Sequence, residues 1–190
     1  MVFFGACVHS SHADPPKQDS SSVSDIFFPV ADYLESEILM VDSTPTAIWR
    51  FVTHQNRTDT SFIGVHEFNS LALHFLPPEI RNNGWEQHFT ETSFADRGTK
   101  SITFTYSPKD PHSGVQRVDV TTTQGLRAQE VRSIYIEQQE AAGDSLILRK
   151  MLWKSKIGFQ IVTLIHVKGK QPEEQQLRVA WGKEADDDDE

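Results

Sequence analysis

The side chains most able to do chemistry here are 8 histidines and 27 acids, and one group of them has a telling spacing. His66-Glu67-Phe68-Asn69-Ser70 begins like a zinc-protease helix, where two histidines four residues apart grip the ion and a glutamate between them acts as base. Position 70 is serine, so the second ligand is missing. His74 stands two turns beyond His66, too far along the axis to share an ion. Both read as helix-surface histidines. Glu91, Asp96 and Asp119 are carboxylates that could pair for acid/base work if a fold brought them together, but isolated carboxylates on strand edges are usually solvated. Phe94-Ala95-Asp96-Arg97-Gly98-Thr99 reads as a turn. No Gly-x-Ser-x-Gly elbow, phosphate-cradling glycine loop or dinucleotide fingerprint occurs. The reading is therefore of a chain without catalytic residues, metal or cofactor.

Large apolar side chains are the other resource. Four tryptophans and twelve phenylalanines supply wide apolar surfaces. Most must be core, but a sheet that curves could turn some of them toward a greasy pocket, with Trp153, Met151, Phe159 and Phe104 as its candidate lining.

The elements that would position these residues follow from hydrophobic rhythm. Phe27, Val30, Leu34, Ile38 and Val41 recur every three or four positions and predict a helix from Asp25 to about Val41, capped by Ser24 or Asp25 and ended by Asp42-Ser43-Thr44-Pro45. Ala47 to Thr53 and Thr60 to Val65 read as short strands around a His54-Gln55-Asn56-Arg57 turn. Phe68, Leu71, Ala72, Phe75 and Leu76 line one face of a second helix from about His66 to Leu76, stopped by Pro77-Pro78. A helical turn to Arg81 closes at Asn82-Asn83-Gly84, where glycine can turn left-handed.

From Glu86 the period becomes two. Ile102, Phe104 and Tyr106, then Val118 and Val120, then Ile134 and Ile136, alternate with polar residues, and further runs cover Leu146 to Lys154, Phe159 to Val167 and Gln175 to Trp181. Short turns between such runs make antiparallel neighbours, about seven strands in a meander. Leu146, Leu148 and Leu152 on one face, with Ile147, Met151 and Trp153 on the other, predict strands covered on both sides. The fold class is α+β: a large curved antiparallel sheet, half-barrel-like, with two or three helices packed on its concave face or across its mouth.

Composition bounds the partners. A chain of 190 residues suits one domain, placed at residues 25–183, and no apolar run approaches the roughly 20 residues that span a bilayer. Of the net charge of -9, six charges belong to Glu184, Asp186, Asp187, Asp188, Asp189 and Glu190, a solvated tail over residues 184–190. The body is near neutral with dispersed basic residues, which argues against nucleic acid. Cys7 is the one cysteine, which excludes an internal disulfide.

Residues 1–24 carry an address. Phe4-Gly5-Ala6-Cys7 resembles the lipobox of bacterial lipoproteins, whose cysteine is acylated and heads the mature chain. Phe4 replaces the usual leucine, and Met1-Val2-Phe3-Phe4 is too short for an export signal, so either the true start lies upstream or the match is accidental and the protein is cytoplasmic. Residues 8–24 are polar and read as a stalk with an r.m.s. span of about 20 Å.

Together with Ile26-Phe27-Phe28-Pro29-Val30-Ala31-Asp32-Tyr33-Leu34 and Leu148-Arg149-Lys150-Met151-Leu152-Trp153-Lys154, this layout resembles that of uncharacterised small envelope lipoproteins of Bacteroidetes. The resemblance implies an envelope address, facing the periplasm and attached through acylated Cys7, and implies no activity. In shape alone the reading is similar to the half-barrel carriers that hold acyl chains during lipoprotein localisation. The expected function is a non-catalytic binding module for a lipid-like apolar ligand or an envelope protein partner. The alternatives are a structural lipoprotein without a pocket, favoured if Phe68, Leu71 and Phe75 fill the concave side, and an enzyme with an unfamiliar His/Asp/Glu site.

Overall fold

In the computed structural model, residues 27–82, 84–124 and 130–181 are described. The expected stalk, Cys7 and the acidic tail lie outside them.

The first helix, α1 (Val30–Ser43), buries Val30, Leu34, Glu37 and Val41, one stripe along its length. It begins at Val30 and not at Asp25, because Pro29 precedes it in a non-helical conformation; a proline lacks the N–H that a helix start leaves unbonded anyway. At the other end Thr44 is extended, as a residue before proline tends to be. Strands β1 (Ile48–His54) and β2 (Arg57–Phe62) form a tight hairpin. Gln55 and Asn56 have φ of 47° and 62°, the left-handed pair that matches the twist of flanking strands.

Helix α2 (Val65–Ala72) buries Phe68 and Ala72, and a single 3-10 turn at Leu73–Phe75 carries Phe75 into the core. Pro77 then starts the short α3 (Pro78–Arg81), and Gly84, at φ 86°, swings the chain into a turn at Trp85–Gln87 that buries Trp85.

Seven strands follow: β3 (Phe89–Asp96), β4 (Ser101–Pro108), β5 (Val115–Thr123), β6 (Val131–Ala142), β7 (Ser145–Lys154), β8 (Gly158–Val167) and β9 (Glu173–Trp181). Phe94 and Ala95 belong to β3, which shortens the turn expected at 94–99; Asp96 Oδ1 accepts from the N–H groups of Gly98 and Thr99 and fixes what remains. All nine strands join one antiparallel sheet in the order β2-β1-β9-β8-β7-β6-β5-β4-β3. The fold is thus α+β and mostly antiparallel. Sequence neighbours pair except β2 and β3, which are the two edges, and β9 also pairs with β1, the contact that joins hairpin to meander.

The helices cover one face. Tyr106, Val118, Val120, Ile134, Ile136, Met151, Trp153, Val179 and Trp181 point there and are buried in a single cluster with the helix residues Val30, Leu34, Phe68 and Phe75. The opposite face stays bare among the described residues: Leu146 is exposed, and Leu148 and Leu152 are only half-buried. Coverage on both faces, expected for residues 146–167, is therefore not what the structure has. The apolar residues of the second face lie beside Lys150, Gln160 and Arg178, and this mixture can meet water.

Candidate functional site

Of the four expected pocket residues the structure brings three together. Trp153 and Phe159 are direct neighbours on β7 and β8 and stack at 5.3 Å, 22° apart in plane, and Met151 is one place along on the same face. Phe104 lies on β4, separated from them by β5 and β6. Trp153 and Met151 are fully buried and Phe159 and Phe104 nearly so. The space over the trio is taken: Phe75 meets Trp153 edge-on at 5.3 Å and Phe159 at the same distance, while Phe68 meets Trp181 edge-on at 5.3 Å. Phe159 also borders a small hollow of about 70 Å³ with Leu152, Gly158 and Arg178.

The acids and histidines do not converge. Glu91 is the cross-strand neighbour of Tyr106 and shares its helix-covered face, whereas Asp119 lies on the bare face, accepting from Thr105 Oγ1 at 2.7 Å and Arg117 Nε at 2.9 Å. Asp96 is spent on its turn, whose hydrogen bonds from Thr99 and Gly98 hold the carboxyl below its usual range. Glu67 pairs with Arg50. No group of three or more metal-ligating side chains occurs among the described residues.

The open space lies further along the helix-covered face. Strand register sorts the inward side chains into rows across the sheet. One row runs Trp153, Phe159, Val179 and Arg50, the next Met151, Ile161, Leu177 and Val52, and the next Arg149, Thr163, Gln175 and His54. Phe68 and Phe75 seal the first row. The second and third emerge beyond the helix end, where Leu71 and His74 overhang a hollow of about 300 Å³ lined also by Arg50, Val52, Arg149, Ile161, Thr163, Gln175 and Leu177.

Its charges are specific. Arg149 donates from Nη1 to Glu140 at 3.0 Å, and Arg50 donates to Glu67, while the buried Nε of Arg50 has no hydrogen-bond partner. Both acids are more exposed than the arginines they pair with, and neither lines the hollow. Burial and then the Arg149 charge push the His74 imidazole below its ordinary value, so at neutral pH it is uncharged. The site combines an apolar floor with a polar lip of one guanidinium, a hydroxyl and an amide from Arg149, Thr163 and Gln175, the Arg50 guanidinium on the opposite side of the floor, and a neutral imidazole overhead. It has hydrogen-bond donors and no nucleophile–base pair.

His74 and Leu71 read as helix residues in the sequence, whereas Arg50, Arg149, Thr163 and Gln175 carry no expectation of a site there, although three of them leave a mark. Arg149 stands between Ile147 and Met151 on what reads as an apolar face, Thr163 between Ile161 and Ile165, and Arg50 between Ile48 and Val52. A polar residue at an inward position of three strands is a signal that attention to the apolar members alone misses.

Comparison with known proteins finds no matching family model, no matching curated protein and no matching solved structure.

Proposed function

We propose that this chain is a non-catalytic binding module of the cell envelope, held to a membrane through acylated Cys7, whose sheet acts as a shallow half-barrel with the helices in its mouth. The ligand is a small molecule with an apolar part, seated in the hollow past the end of α2. The observation that carries this reading is the row pattern: adjacent strands place Ile161, Leu177 and Val52 side by side, with Thr163, Gln175 and His54 in the next row and Arg149 beside Thr163. An apolar floor with a few convergent polar groups is the usual make-up of a small-molecule site. At about 300 Å³ the space is at the lower end for such sites, which favours a compact ligand over a diacyl lipid.

A second reading, a structural or interaction protein of the envelope, draws on the packing of Phe68 and Phe75 over Trp153 and Phe159, which leaves no large chamber in the middle of the sheet. Native mass spectrometry of protein purified from its own membrane separates the two. The binding reading expects an adduct of a few hundred daltons that is lost from a Thr163→Trp variant, whose indole fills the hollow. A spectrum of ligand-free protein alone, for wild type and variant, supports the second reading and removes the first.

A further inference from the structure

We infer that the ligand of this hollow is an anionic amphiphile, a short acyl chain lying on Ile161, Leu177 and Val52 with a small anionic head group held by Arg149, Thr163 and Gln175. The inference rests on the reading of the hollow as a ligand site and adds the charge and shape of what enters it.

Without the six acids of residues 184–190 the chain carries 21 acids against 18 basic residues, so its body is near neutral and a lining of one sign is a local feature. The lining of this hollow holds two arginines and no carboxylate. The partners of those arginines, Glu67 and Glu140, have side chains 45% and 58% exposed and face water outside the lining, while Arg50 and Arg149 are 31% and 24% exposed. An arginine offers five N–H donors in a planar fork, and the one bond from Arg149 to Glu140 leaves donors over. A neutral apolar ligand lying against Arg149 would strip its water and return no hydrogen bond, and a cationic one would meet like charge. An anion takes up the donors that Glu140 leaves over.

Shape agrees with sign. Arg149, Thr163 and Gln175 lie in one row across three paired strands, so a guanidinium, a hydroxyl and an amide face the same line, and the neighbouring row on the same strands is Met151, Ile161 and Leu177. His74 overhangs from the helix side. In its uncharged form it can donate one N–H to the head group. A molecule with head and tail at opposite ends fits two rows of opposite character. Space of about 300 Å³ suits a chain of roughly eight carbons.

The test is calorimetric titration of the full chain with three probes of equal length: octanoate, 1-octanol and octylammonium. Octanoate should bind at least tenfold more tightly than 1-octanol, and octylammonium should not bind measurably. Arg149→Gln should bring octanoate down to the level at which the same variant binds 1-octanol. Arg149→Lys keeps the charge but not the fork and should retain part of the preference; it carries the comparison if Arg149→Gln fails to fold. Equal binding of octanoate and 1-octanol by the wild type overturns the inference and leaves the ligand site standing as a purely apolar one. Binding of none of the three, together with the ligand-free native spectrum described above, removes the site and the inference with it.

Discussion

Phe75→Ala tests the packing on which the location of the open space depends. Phe75 is fully buried, and its ring touches both Trp153 and Phe159 at 5.3 Å, so truncation removes a whole benzyl group from a site closed on every side. Losing the transfer energy of a buried phenylalanine costs about 2–3 kcal/mol. A residual cavity on the order of 100 Å³ at roughly 24 cal/mol per Å³ adds about 2 kcal/mol, for a total of about 4 kcal/mol. Against the 5–15 kcal/mol that holds a typical domain together this is a large fraction, and at roughly 2–4 °C per kcal/mol for a domain of this size the melting point should fall by about 10–15 °C. Urea unfolding followed by circular dichroism measures the energy, and tryptophan emission reports the altered surroundings of Trp153. The variant should also gain a site for benzene over the Trp153–Phe159 stack, which the wild type lacks. A loss below about 1.5 kcal/mol with no benzene uptake would refute the reasoning, since it would mean that Phe75 does not seal the aromatic row.

Two more outcomes follow from buried polar groups. Glu37, 6% exposed, accepts from Lys156 N–H at 2.8 Å and from Trp153 Nε1 and Ser155 Oγ at 3.4 Å, tying α1 to the β7–β8 turn. Glu37→Ala should therefore cost about 2 kcal/mol, and Glu37→Gln, whose amide oxygen can still accept, should recover part of it; thermal melts in which Gln is no better than Ala would sink that account. All three tyrosines resist ionisation: burial raises Tyr33, burial and then Glu91 raise Tyr106, and burial with the Glu137 hydrogen bond pushes Tyr135 up to about 12. The folded chain thus keeps phenolic protons that the unfolded chain gives up near pH 10, so their stabilising effect is complete below that pH and is lost as pH rises toward and beyond 12. Alkaline titration followed by phenolate absorbance should show the folded protein lagging the urea-unfolded one, and superposed curves would contradict the burial of these rings.

Local structure was legible where one side of an element meets the core. Val30, Leu34 and Val41 announce α1, Phe68, Ala72 and Phe75 announce α2 and its 3-10 extension, and strict alternation announces strands β4 to β6. Gln55-Asn56 and Gly84 behave as their turn chemistry requires. Strand β3 was harder to see because only Phe89 of its residues is buried; an edge strand has no second neighbour to demand a pattern. The pairing of β1 with β9 could not be read at all, since it joins segments more than a hundred residues apart and no local signal encodes it. The same gap hid part of the site. Arg50 reaches it only through that pairing, whereas Arg149, Thr163 and Gln175 meet across the consecutive strands β7, β8 and β9, and each alone is an ordinary polar residue in a strand.

The placement of β9 also governs the order in which this protein can be assembled. During synthesis the early hairpin and the run from β3 to β8 emerge first, each with an edge that has no strand to bond to. Residues 173–181 emerge after both and act as the keystone: they supply the hydrogen-bonding partner of both edges in one step. Cooperative folding is consequently deferred until this strand has been made, and joining hairpin to meander then requires closing a loop of more than a hundred residues, the slowest kind of contact in this sheet.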